Sequence, residues 1–204
     1  INEISKKLKI FAKVNIAIDS GMNRIGFKVD KKSAVEILKI TKLNYIKVEG
    51  MFTHFAVADE DVDYTEFQFN NYMDMVIMLK ELNVDIPLKH VNNSQGIINY
   101  REYDLDAVRP GLVQYGSTEG VESKYENFKV EYIGELKAQI ANLKFIEKGE
   151  KVSYGLTFEA ERKTKVATLP LVYADGVLRE LSDKIDVLVS GKRWKQIGHI
   201  CMDQ

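Results

Sequence analysis

Apolar residues recur at two different periods along this chain, and the change of period divides it. In IFAKVNIAI (10–18), Ile10, Ala12, Val14, Ile16 and Ile18 fall at every second position, the spacing of one strand face. Asp30 then precedes a run with Ala34, Ile37, Leu38 and Thr41 at helical spacing, which predicts a capped helix to about Lys42. IKVEGMFTHFA (46–56) reads as a second strand, and a longer amphipathic helix follows with Tyr72, Met75, Val76, Leu79 and Leu82 on its inner stripe. IPLKHV (86–91) reads as a third strand, NSQGIINY (93–100) as a short helix and LDAVRPG (105–111) as a fourth strand. Strands separated by crossover helices imply parallel βα units.

Beyond about residue 120 the period stays near two. VEYIGELKAQIANLKFI (130–146), KVSYGLTF (151–158), KVATLPLVYA (165–174) and KIDVLVSGKRWKQIGHI (184–200) all alternate, with SGKR as a hairpin turn. The expectation is an α/β part over residues 1–122 followed by an all-β domain over 123–204. Four βα units are half of the eight that close a barrel. The chain opens at Ile1 without methionine and stops at GHICMDQ on what reads as the end of a strand. It is therefore expected to be a piece of a longer polypeptide, its first part the C-terminal half of a (β/α)8 barrel of the TIM type and its second a β-sandwich or barrel-like domain.

Composition narrows the function mainly by exclusion. A net charge of −1 provides no bulk attraction to nucleic acid or to an anionic membrane. No apolar run approaches the roughly 18–20 residues that a bilayer span needs. The single cysteine, Cys201, excludes an internal disulfide and fits a reducing compartment, the cytoplasm. Neither nucleotide-binding glycine fingerprint is present, and no nucleophile elbow appears. His54, His90 and His199 stand far apart outside any zinc-ligand spacing, so no metal site is expected.

What remains is a row of polar residues at successive strand ends, the end that holds the chemistry in a βα barrel. DSGMNRIG delivers Arg24, FTHF puts His54 at the rim, HVNNSQG offers His90, Asn93 and Ser94, and AVRPG offers Arg109 followed by the Gly111 and Leu112 amides. Taken singly, each has a plain structural alternative: a rim histidine can be satisfied in packing, and Ser94 can simply cap its helix. Together they suit a flat, anionic ligand. A serine hydroxyl at a helix start beside late-strand amides can cradle a phosphate. Arg109 is a fixed donor, and arginine is one of the usual partners of the ring nitrogen in pyridoxal phosphate enzymes.

These segments resemble the alanine racemase family. The stretches IDSGMNRIG, EGMFTHFAVADE, HVNNSQG, VRPGLVQYG, VSYGLTF, LPLVYADG and GHICMDQ occur in family order across nearly the whole chain. The resemblance implies pyridoxal 5'-phosphate as cofactor, a barrel followed by a β domain, and a head-to-tail homodimer whose active sites are shared between subunits. It implies interconversion of L- and D-alanine, with D-alanine serving peptidoglycan. Tyr154 matches the base that takes the α-proton from the L-enantiomer, His54 the histidine bonded to that tyrosine, and Arg109 the arginine at the pyridine nitrogen, itself contacted by the match of His90. Asn93, Ser94, Gly111 and Leu112 fall where the family holds the phosphate, and Tyr173 matches a tyrosine that also touches it. Arg24 and Met202 match contacts to the substrate carboxylate.

Two departures accompany the match. No segment corresponds to the family's cofactor-binding lysine, nor to its C-terminal segment. Ala17 stands where many members carry a lysine that braces the arginine matching Arg24, so Arg24 is expected to be steadied by an anion such as chloride or by Asn15. Serine racemisation, a pyridoxal-phosphate amino-acid decarboxylase and a non-catalytic cofactor-binding fragment are the alternatives.

Overall fold

The computed structural model of the chain describes residues 1–118 and 120–203, so Gln204 of the GHICMDQ stretch lies outside the described residues. Two compact units are present, residues 1–134 and 135–204.

The first unit opens with helix α1 (Asn2–Leu8), whose Ile4 and Leu8 are exposed. Strands β1 (Ala12–Asp19), β2 (Phe27–Lys28), β3 (Ile46–Phe52) and β4 (Leu88–His90) form one open parallel sheet in the order β2-β1-β3-β4. Helices α2 (Lys31–Thr41), α3 (Val62–Glu81) and α4 (Ser94–Asn99) occupy the connections. Among the described residues no closed barrel forms.

The helix starts follow side-chain capping. Asp30 accepts the Ser33 amide at 2.7 Å, and Asp61 accepts the Tyr64 amide at 2.9 Å. The apolar stripe of α3 is inside as its spacing requires: Tyr72, Met75, Val76 and Leu79 are buried, and they pack with Ile16, Ile18 and Met51 of the sheet and with Ala34 and Ile37 of α2. Asn15, Ala17 and Asp19 alternate with these β1 core residues and so lie on the opposite face, the face that carries the site.

One irregularity sets which β3 residues share that face. Val14 pairs with Val48 but Asn15 pairs with Gly50, so Glu49 is an extra residue in β3. A one-residue insertion reverses which face the following side chains occupy. Hence Val48 and Met51 both meet the core, whereas Gly50 and Phe52 accompany Asn15 and Ala17.

The sheet is smaller than the alternation implies. The stretch 105–111 is reduced to a single parallel bridge, His90 to Ala107. Pro110 lacks an amide to donate, and the Arg109 amide turns instead to the Asn92 carbonyl at 3.0 Å. Strand β3 stops at Phe52 and not at Ala56; beyond it the Thr53 carbonyl accepts from Arg109 at 2.7 Å and the buried Thr53 hydroxyl pairs with Ser20 at 2.7 Å. Residues 120–134 belong to the first unit, joined to it by the Ser123 hydroxyl on the Ile98 carbonyl and by Lys124 on Glu102.

The second unit consists of three antiparallel pairs: β5 (Asn142–Ile146) with β8 (Thr164–Thr168), β6 (Lys151–Val152) with β7 (Phe158–Glu159), and β9 (Asp186–Val189) with β10 (Lys192–Lys195). The last pair turns at Ser190 and Gly191, where SGKR anticipates a hairpin. A small core of Ile146, Ala160 and Val166 underlies the first two pairs. Three of the expected strands are cut short. Residues 130–141 alternate but meet no partner strand among the described residues, and alternation without a facing ladder makes no sheet. Pro170 ends the strand expected over 165–174, which becomes a 3-10 turn at Tyr173–Asp175. KVSYGLTF breaks at Ser153, where a 3-10 turn, Tyr154–Leu156, separates β6 from β7.

Candidate active site at the strand ends

In the first unit the site is organised around one guanidinium. Arg109 is half-buried, and its NH2 nitrogen donates to the carbonyls of Thr53 at 2.7 Å and Val91 at 3.1 Å. Its NH1 nitrogen donates to the His90 carbonyl at 3.1 Å and meets His90 Nδ1 at 2.9 Å. Four acceptors from the ends of β3 and β4 thus fix the plane of the group. The Phe52 ring lies 5.2 Å below the guanidinium carbon and stacks on the His90 ring, with centroids 5.4 Å apart and 12° between planes. Burial lowers the Arg109 pKa, yet arginine stays protonated at any working pH.

His54 follows Thr53 at the rim and shares a small recess with Ala17, Met22, Arg24 and Phe52. Its pKa is lowered, first by burial and then by the charges of Arg109 and Arg24. Its height is set from behind. Fully buried Gln68 of α3 donates to the His54 carbonyl at 3.1 Å and accepts the Ala56 amide at 2.8 Å. The His90 pKa is lowered too, by burial and then by Arg109.

A second cluster joins the start of α4 to the segment after Arg109. Asn93, not Ser94, caps α4, accepting the Gly96 amide at 3.0 Å. Asn93 also donates to the Phe55 carbonyl at 3.3 Å. The Ser94 hydroxyl is left to gather the amides of Gly111 at 2.9 Å and Val113 at 3.3 Å. A Cβ on Gly111 would stand 3.3 Å from the Ser94 oxygen. Leu112 begins a 3-10 turn between those two amides.

Arg24 is exposed on its loop, with no hydrogen-bond or ion-pair partner among the described residues. The expectation that Asn15 steadies it is corrected: the β3 insertion sets Asn15 opposite Gly50, where its Oδ1 lies 3.4 Å from His90 Nε2. The structure therefore brings His54, His90, Asn93, Ser94, Arg109, Gly111 and Leu112 to one end of the parallel sheet.

Tyr154, Tyr173 and Met202 belong to the second unit. Ser153, Gly155 and Leu156 have φ of 66°, 75° and 54°, so three left-handed residues flank Tyr154. Its side chain is 73% exposed. The Ser153 hydroxyl donates to the His199 carbonyl at 2.8 Å, and the Tyr173 amide donates to the Cys201 carbonyl at 3.3 Å. These bonds draw the 153, 173 and 199–202 segments together.

With this geometry in place, family comparison becomes informative. Residues 1–119 match the model of the alanine racemase N-terminal domain, and residues 133–204 that of the C-terminal domain. The chain belongs to the alanine racemase family. It is 41% identical over its full length to the alanine racemase of Clostridium tetani, of which it covers 53%. It superposes on the alanine racemase of Clostridium difficile 630 with a TM-score of 0.91 at 42% identity, over 99% of this chain and 53% of that one. The alanine racemase of Bacillus anthracis with bound L-Ala-P gives a TM-score of 0.83 at 33% identity, over 99% of this chain and 54% of that one. The chain thus spans about half the length of the relatives it matches.

The strand-end reading did not anticipate the Thr53 and Val91 carbonyls or the Phe52 ring. Backbone carbonyls carry no sequence signature. Phe52 reads as an ordinary strand residue until the extra Glu49 reverses its face.

Proposed function

We propose that this chain is the C-terminal half of the barrel and most of the β domain of an alanine racemase that interconverts L- and D-alanine. In this reading residues 1–122 hold the cofactor and 123–204 carry the reacting tyrosine. The observation that carries the proposal is the four-point tether of Arg109. A guanidinium held this firmly presents a donor in a fixed direction and cannot give up its proton, which suits the ring nitrogen of pyridoxal 5'-phosphate.

In this reading the Ser94 hydroxyl and the Gly111 and Leu112 amides hold the phosphate, with Asn93 and Tyr173; a Cβ at Gly111 would stand 3.3 Å from the Ser94 oxygen. Pyridoxal phosphate, when bound, withdraws electrons from the amino-acid α-carbon and so acidifies its hydrogen.

The chain's own residues do the rest. Tyr154 accepts the α-hydrogen of the L-enantiomer on its phenolic oxygen. In this reading His54, with the charges of Arg109 and Arg24 near it, assists that transfer. Arg24 and the Met202 amide bind the substrate carboxylate. A homodimer in the cytoplasm, each subunit lending its Tyr154 to the other's strand ends, completes the reading, with D-alanine destined for peptidoglycan. No helix among the described residues is long and apolar enough to cross a membrane.

The test uses the full-length protein, because the chain spans about half the length of the relatives it matches. Supplied with pyridoxal phosphate and L-alanine, it should form D-alanine, measured by chiral chromatography. Absence of turnover would overturn the reading. Serine is the second reading, favoured by Ala17 and the unbraced Arg24, and faster turnover of L-serine than of L-alanine would select it.

A further inference from the structure

We propose that Asn15 is a positioning residue for the Arg109–His90 pair: its amide oxygen accepts the Nε2 hydrogen of His90 and so holds the imidazole with its bare Nδ1 turned to the guanidinium. Only the catalytic consequence rests on the racemase reading; the tautomer assignment stands on geometry.

The Arg109 NH1 nitrogen lies 2.9 Å from His90 Nδ1, and a guanidinium only donates. Nδ1 must therefore be the bare nitrogen, and the single hydrogen of a neutral imidazole sits on Nε2. Burial and the Arg109 charge both favour that neutral ring. The Nε2 hydrogen then needs an acceptor, and Asn15 Oδ1 is 3.4 Å away. Reversing the Asn15 amide would set a donor against a donor, so the same logic orients the amide.

Three features of the fold place Asn15 there. The extra Glu49 sets Asn15 opposite Gly50 in the register. A Cβ at Gly50 would collide with Asn15 Oδ1, and would lie 2.8 Å from the Leu88 carbonyl. Gly50 therefore opens the one lane through which the amide reaches across β3 toward β4. The Phe52 ring stacked on His90 holds the imidazole plane while the amide bonds its edge. Arg109, His90 and Asn15 thus form a relay with a single direction of hydrogen donation, ending on an amide that does not titrate.

The test is long-range 1H–15N NMR of the full-length protein with 15N-labelled histidine, with His90 assigned by a His90→Gln variant. Wild-type His90 should show hydrogen on Nε2 and a bare Nδ1. Asn15→Leu should leave the Nε2 hydrogen without its acceptor and move the His90 Nε2 and Hε2 signals upfield while Nδ1 stays bare, whereas Asn15→Asp, which keeps an acceptor, should not. In the racemase assay Asn15→Leu should lower kcat about threefold to tenfold with KM unchanged, the scale of one neutral hydrogen bond. Hydrogen on Nδ1 in the wild type, or His90 signals untouched in Asn15→Leu, would overturn the proposal. If Asn15→Leu does not fold, Gly50→Ala displaces the same amide from the opposite side and must perturb the same signals. Racemisation with an unresponsive His90 removes the Asn15 assignment alone. The expected His90 response in a protein that does not racemise removes the racemase reading alone.

Discussion

Replacing Arg109 by methionine isolates the tether that organises the strand ends. The guanidinium makes four contacts, to the carbonyls of Thr53, His90 and Val91 and to His90 Nδ1. At about 1 kcal/mol net for each hydrogen bond, they total roughly 4 kcal/mol. The side chain is half-buried, so water restores part of what is lost, and removing a charged group relieves its own desolvation; about 2–3 kcal/mol should remain. The loss is local. Segment 107–113 is otherwise tied to the sheet by the Arg109 amide on the Asn92 carbonyl and by the Gly111 and Val113 amides on Ser94. Hydrogen–deuterium exchange of that segment in the full-length protein should accelerate about 30- to 150-fold, at 1.36 kcal/mol per factor of ten. Exchange at 62–81 in helix α3 should not change. If the 107–113 amides exchanged within about threefold of wild type, the tether would not hold the segment in solution, and the argument for a fixed donor would fail.

Tyr154→Phe should leave the unfolding temperature unchanged, because the hydroxyl has no partner among the described residues, while L-alanine racemisation falls by about 10²–10⁴; an unchanged rate would remove Tyr154 from the chemistry. Gly111→Ala puts a methyl 3.3 Å from the Ser94 oxygen. Affinity for pyridoxal phosphate, followed by fluorescence titration, should fall about tenfold, the loss of roughly one good hydrogen bond. His54 titrates at 6.5 when unperturbed, and the fold lowers that value by burial and by Arg109 and Arg24. The unfolded chain therefore binds the proton first, and stability is full above pH 6.5 and declines as pH falls from there toward the folded value. His54→Gln should flatten chemical-denaturation stability across that acid window.

How far the fold can be read from sequence depends on how local its cause is. Helices α2 and α3 announce themselves because a cap and an apolar stripe are written within one element: Asp30 with Ala34 and Ile37, and Tyr72 through Leu79. The strands of the second unit are less legible, since alternation declares a capacity to pair and not the presence of a partner; residues 130–141 have the first without the second. At the site, Arg109 and His90 stand out as polar residues at strand ends. Asn15 points to His90 and not to Arg24 because of a single added residue, Glu49, in the neighbouring strand. That insertion is visible only once the register is known.

The turn that carries Tyr154 has a consequence for how such a scaffold can change. Left-handed backbone at Ser153 and Leu156 costs about 1–3 kcal/mol each, and Gly155 between them accepts its angle without a Cβ to clash. The main chain, not the packing of the ring, decides where residue 154 projects. If Tyr154 is the reacting group, as proposed, a different one can be installed at that apex by one codon change with no neighbour obliged to repack, so its placement is inherited separately from its chemistry.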